Sequence, residues 1–123
     1  MLIEIDRQRD VCILRCAGRL VAGPDIGYIE IKIDEIKKLE CNLMVVDFSD
    51  VISIGSLGVA FLVAVYTATM QRPGGRFVLT GANALLQRVL DLTHLNRMIP
   101  QACDLTSGLA ILRAEVRASS RSR

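Results

Sequence analysis

Tryptophan is absent from the 123 residues, and two tyrosines and three phenylalanines bring the aromatic share to only 4%. Proteins that grip single-stranded bases or sugars stack them on such rings, so an RNA-stacking surface has little to be built from. Four cysteines stand at 12, 16, 41 and 103, and no pair has the C-x-x-C spacing of a metal or redox site. Cys12 and Cys16 are four residues apart in an apparent strand, about 13 Å at the strand rise and too far for a bond between them. The cysteines are expected to be small buried hydrophobes in a reducing cytoplasm. The only histidine, His94, has no cysteine or carboxylate at metal-ligand spacing, so no metal site is expected. A G-x-S-x-G elbow is missing, and Gly55-Ser56-Leu57-Gly58 lacks the Lys and the longer Gly spacing of a phosphate loop. Catalytic residues and cofactors are therefore not expected, and a binding protein is favoured over an enzyme.

Charge of either sign is scarce in excess. The formal net charge is +2, with 15 basic and 13 acidic groups. Arg117, Arg121 and Arg123 account for three of the basic groups, so residues 1–116 hold 12 basic against 13 acidic and are near neutral. A single domain over residues 1–116 is expected, followed by a basic, Ser/Arg-rich, disordered tail over residues 117–123. Neither nucleic acid nor a membrane surface is an expected partner of so weak a basic excess. The first residues, MLIEIDRQRD, are charged within four positions, which does not fit a secretory signal. Residues 51–71 carry no charge, a run of about the length that spans a bilayer. Two Gly and two Ser lie in its first third, which leaves a helical part too short to cross. A fully buried helix in a small α/β domain is expected there instead.

What is present is a regular alternation of element types. Residues 2–6 and 11–17 read as a hairpin around Gln8-Arg9-Asp10, with Val11, Ile13 and Arg15 on one face and Cys12, Leu14 and Cys16 on the other. Gly18-Arg19-Leu20 ends the second strand. Pro24 suits the first turn of a helix. Ile26, Ile29, Ile33 and Ile36 then recur on one helical face. Residues 43–48 form an apolar run of the kind seen in central strands. A loop over residues 49–55 leads to a helix from Ser56, stopped by Pro73-Gly74-Gly75. Residues 76–80 read as a strand, and Asn83 as the cap of a helix with Leu86, Val89 and Leu90 inward. Residues 97–99 could add a short edge strand before Pro100. A last helix starts near Asp104, with Leu105, Leu109, Leu112 and Val116 inward. The order is β-β-α-β-α-β-α-(β)-α, an α/β fold with a mixed sheet of four to five strands and about four helices.

The distinctive segment is Asp47-Phe48-Ser49-Asp50-Val51-Ile52-Ser53-Ile54-Gly55-Ser56-Leu57-Gly58. Asp47 is expected at the carboxyl edge of the sheet, where α/β proteins place function. Ser56 is expected as an N-cap, its hydroxyl at the positive end of a helix dipole. A phosphate there would find free backbone N–H groups, yet would put about two negative charges on the surface. The residues alone leave two readings even: a modification site or a plain cap.

This segment resembles the signature of STAS domains, the family of bacterial anti-sigma factor antagonists, whose pattern is roughly D-x-S-x-V-x-x-I-D-S-S-G-L. Asp47, Ser49, Val51, Ile54, Ser56 and Gly58 match it. Ala17-Gly18-Arg19-Leu20, residues 76–81, residues 88–93 and residues 105–112 are similar to the family's post-strand turn, next strand, third helix and C-terminal helix. The resemblance implies a cytoplasmic partner-switching protein. Its unphosphorylated form binds an anti-sigma factor that is a serine kinase, and phosphorylation of the first Ser of D-S-S-G ends that binding. By position that Ser is Ser56, with Ser53 and Ser49 ranked below it. The implied partner-binding residues are Asp47, Ser49, Asp50, Ser53, Gly55, Ser56, Leu57 and Gly58, with the turn at residues 18–23 beside them. Gly55 and Leu57 depart from the family's Asp and second Ser. The alternative implied by the resemblance is a structural or scaffold subunit of a signalling or membrane-transport complex, without a phosphorylation switch. Self-association stays open, and a small ligand at the loop is a third and weaker idea.

Overall fold

The computed structural model describes residues 2–20 and 25–121. The hairpin is β1 (Leu2–Gln8) and β2 (Val11–Leu20), antiparallel in the register Leu2↔Ala17 to Gln8↔Val11. Its turn is Arg9-Asp10, and Arg9 takes the left-handed conformation at φ 57°. Both strands run further than the hydrophobic pattern alone predicts, and β2 passes through Gly18 instead of stopping there.

Three strands then add in parallel: β3 (Leu43–Ile54), β4 (Arg76–Thr80) and β5 (Gln101–Ala102), in the spatial order β1-β2-β3-β4-β5. The crossovers are α1 (Asp25–Lys38), α2 (Ser56–Met70) and α3 (Ala84–Leu92), and α4 (Leu105–Arg121) closes the chain. Residues 95–97, near the expected edge strand at 97–99, form a short 3-10 turn, and the strand comes after Pro100. The expected boundary at Val116 falls inside α4, whose backbone runs on to Arg121; side chains from residue 115 onward lie outside the described residues. Pro24 also lies outside them.

Alternation along β2 builds two cores, because successive side chains point to opposite faces of a sheet. Cys12, Leu14 and Cys16 join Ile29 and Ile36 of α1, Phe61, Leu62 and Val65 of α2, and Leu86 and Leu90 of α3. Val11 and Ile13 lie on the other face with Val45, Val78 and Leu112 of α4. The faces of β2 are as the sequence predicts. Three helices thus cover one side of the sheet and one covers the other.

Helix α2 is not buried all round. Gly58, Phe61, Leu62, Val65 and Thr69 face inward, while Ala60, Thr67 and Met70 are exposed. Its apolar outer positions are mostly small, so the uncharged run reflects a one-sided helix with few large groups outside.

The cysteines correct the sequence expectation in part. Cys12, at the start of β2, and Cys41, just before β3, are joined by a disulfide with a Cα–Cα distance of 6.2 Å. Cys16 is a buried free thiol, and Cys103 is free and exposed.

Candidate functional site

The stretch expected to be a loop over residues 49–55 is mostly strand, because β3 continues to Ile54 alongside β2. The register explains how. Arg15 opposes Asp47 and Ala17 opposes Asp50, so Phe48 and Ser49 together face the single residue Cys16. One extra residue on a strand is a bulge, and it reverses the side-chain parity beyond it. Val46 and Phe48 are buried before the bulge, and Val51 after it. Asp50 and Ile52 turn outward as a result; Ile52 is 60% exposed. A second register shift, between Gly18 and Arg19, lies where Gly18 has φ 89°.

Asp47 is therefore inside β3 and not at its end, although it stands level with Thr80, the last residue of β4. Its Oδ1 accepts from Ser49 Oγ at 2.7 Å, from Thr80 Oγ1 at 2.9 Å and from Ser49 N at 3.4 Å. Val45 and Val78 face α4, and Asp47 and Thr80 continue those two rows, so this cluster sits at the rim of the α4-side core. Thr80 is fully buried. Gly81 follows at φ 72°, and a Cβ there would collide with the backbone and hydroxyl of Ser49. Burial, and secondarily the Asp47 charge, push the Cys16 thiol up to about 12.

The helix begins one residue earlier than expected. Gly55, not Ser56, is the N-cap of α2, with φ −110° and ψ −167°. Ser56 is the first helical residue and is exposed, and among the described residues its hydroxyl makes no hydrogen bond. The N–H groups of the first turn lack partners within the helix, and its dipole is positive there.

The residues expected at the site divide by environment. Asp50 and Ser56 are exposed, and Ser53 and Gly55 are half-buried. Asp47 and Ser49 are tied to each other. Leu57 is half-buried and packs against the core, and Gly58 is buried. Gly58 lies beneath the helix start, while Leu57 divides its side chain between the core and the surface. The turn at residues 18–23 is described only to Leu20.

Two contributors went unread in the sequence. Thr80 holds Asp47, and Asn83 ties α3 to the site by donating from Nδ2 to the Val51 carbonyl at 3.0 Å. Asn83 also caps α3, accepting from Leu86 N at 2.8 Å. The cap was legible, but the cross-link needs a register that one sequence does not carry. Near the carboxyl ends of β4 and β5 a shallow groove of about 380 Å³ is lined by Ala82, Gln87, Gln101, Ala102 and Cys103. Gln87 Nε2 donates to Gln101 Oε1 at 2.6 Å.

Among the described residues no group of three or more His, Cys, Asp or Glu could hold a metal, and no helix is long and apolar enough to cross a membrane.

The STAS domain family model matches residues 3–110, so the chain belongs to the STAS domain family. No curated protein sequence matches it. Among solved structures it is similar to TM1081 of Thermotoga maritima, described as a "putative anti-sigma factor antagonist". Identity is 25% and the TM-score 0.80, over 90% of this chain and 94% of that one. It also shares its fold with the Bacillus cell fate determinant SpoIIAA in the phosphorylated form, at 17% identity and TM-score 0.63, over 99% and 100% of the two chains. A sulfate transporter family protein from Wolinella succinogenes has the same fold at 15% identity and TM-score 0.74, over 89% of this chain and 90% of that one.

Proposed function

We propose that the chain is an anti-sigma factor antagonist of the cytoplasm, a binding module that captures an anti-sigma factor with serine kinase activity and releases it when Ser56 is phosphorylated. The observation that carries this reading is the setting of Ser56: exposed, first in α2, and shortly after the exposed Asp50 and Ile52 and the half-buried Ser53. A phosphate there meets unpartnered N–H groups and a favourable dipole, so the fold tolerates it. The new charge nevertheless stands on the docking face. Ser49 is a poorer acceptor, because its hydroxyl is already bonded to the Asp47 carboxylate, which would repel a phosphate. Leu57, which stands where the family has its second Ser, is half-buried and packs partly against the core. The TM1081 likeness supports an antagonist.

Calorimetric titration of the kinase-type partner tests the reading. Ser56→Ala binds like the parent, and Ser56→Asp loses about 2–5 kcal/mol, the range for a charge left unpaired at an interface. Equal affinities for the two variants would remove Ser56 as the switch.

A scaffold role without a switch is the second reading. It is favoured by Gly55, which removes the acidic residue that the family signature places before its Ser, and by the transporter-type neighbour. Intact mass of the protein from its own cells separates the two, since only the switch yields a phosphorylated fraction on Ser56.

A further inference from the structure

We propose that Cys12 and Cys41 form a reversible, two-electron redox staple at the end of the sheet away from Ser56. The bond joins positions 29 residues apart and encloses most of β2 and all of α1. It lies where β2 and β3 begin, whereas Ser56 stands two residues after Ile54, the last of β3, roughly 35 Å away at the strand rise. Cys12 is fully buried. Cys41 is 4% exposed and lines an open cleft of about 290 Å³ with Arg7, Asp10, Glu40, Pro73 and Gly74. A small thiol or disulfide reagent therefore reaches the pair through Cys41. The other two thiols are set apart from this chemistry. Cys16 stays protonated inside the first core, and Cys103 is exposed with no second cysteine beside it.

The exchange balances with glutathione disulfide as oxidant. The Cys41 thiolate attacks one of its sulfurs and releases one glutathione thiolate, leaving a mixed disulfide. Cys12, after losing its proton, attacks the Cys41 sulfur and releases the second glutathione. Two electrons pass from the protein to the reagent, and the two protons go to the released thiolates. Reduction runs the same steps backwards. Both side chains pack within the first core whether or not they are bonded, so the reduced chain keeps its fold and loses only the cross-link. Closing a loop of this length restricts the unfolded chain, which sets the expected size of the effect.

The test uses the full chain equilibrated with glutathione disulfide or with excess reduced glutathione. Each sample is denatured, alkylated with iodoacetamide and weighed intact. The oxidised sample gains two groups, an alkyl on Cys16 and an alkyl or a glutathione on Cys103, and the reduced sample takes up four alkyl groups. Thermal unfolding of the folded protein falls by about 10 °C on reduction. Cys103→Ser keeps that difference, and Cys12→Ala or Cys41→Ala abolishes it. Four alkyl groups after oxidation, or a melting temperature of the parent that ignores the reductant, overturns the proposal. If an alanine variant does not fold, the thiol count on the parent still decides.

Discussion

A single carboxylate oxygen organises the rim of the sheet. Asp47 Oδ1 collects the hydroxyls of Ser49 and Thr80, which draw the end of β4 and the bulge of β3 together. Thr80 is fully buried, so its hydroxyl has no water to replace the bond, while its methyl packs under Gly108 of α4. Hydrogen bonds to charged groups contribute about 1.5–3 kcal/mol net. Thr80→Val keeps the shape and removes the donor, yet Asp47 retains Ser49 and partial contact with water. The expected loss is therefore at the lower end, about 1–2 kcal/mol, read as a lower midpoint in urea with an unchanged slope. A midpoint at or above that of the parent would mean that the Thr80–Asp47 bond contributes no stability. The Cys16 thiol is part of the same locality. Its raised pKa means that its contribution is complete below about pH 9 and is lost as the pH rises toward 12.

Among the elements, α3 has a dual role at its first turn. Asn83 closes the helix by accepting from Leu86 N, and with its amide group holds the Val51 carbonyl on β3. Ser, Thr, Asn or Asp replaced by Ala at an N-cap costs about 0.5–2 kcal/mol, and the second bond adds to that. Asn83→Ala is expected to destabilise the protein by about 2 kcal/mol. Asn83→Asp keeps the cap and loses the donor, and should fall between the two. Equal stability of all three would show that neither bond matters. The cap could be read from Asn83 followed by an apolar helical period, and so could α1, α2, the hairpin and the two faces of β2. What escaped the sequence was set by pairing between strands. Residues 49–54 contain two Ser and an Asp, which argue for a loop, but β2 offers an open parallel edge and the bulge fits them to it. Ser56 was expected as the cap for the same local reason. Because β3 runs to Ile54, the non-helical linking position falls on Gly55 instead. The Cys12–Cys41 approach likewise depends on β2 and β3 starting level, with Val11 opposite Leu43.

Taken whole, the molecule separates what holds it together from what it can present. Both cores lie between the sheet and the inner faces of the helices, and the disulfide sits at the amino ends of the central strands. The exposed group at Ser56 stands at the other end, anchored from beneath by Gly58, Phe61 and the partly buried Leu57. A charge added at Ser56 thus enters solvent, not the interior, and no packed atom has to move. An acidic side chain in the first turn of a helix even gains about 0.3–1 kcal/mol from the dipole. Ser56→Asp is therefore expected to melt at the temperature of the parent or a few degrees above it, while losing its partner. Thermal unfolding followed by circular dichroism checks this beside the titration. A drop of more than about 5 °C, larger than a surface substitution in a domain this size should give, would mean that affinity is lost through unfolding. The proposed docking face and the fold would then not be separable, and a phosphate at Ser56 would act by disrupting the domain instead of by repelling the proposed partner.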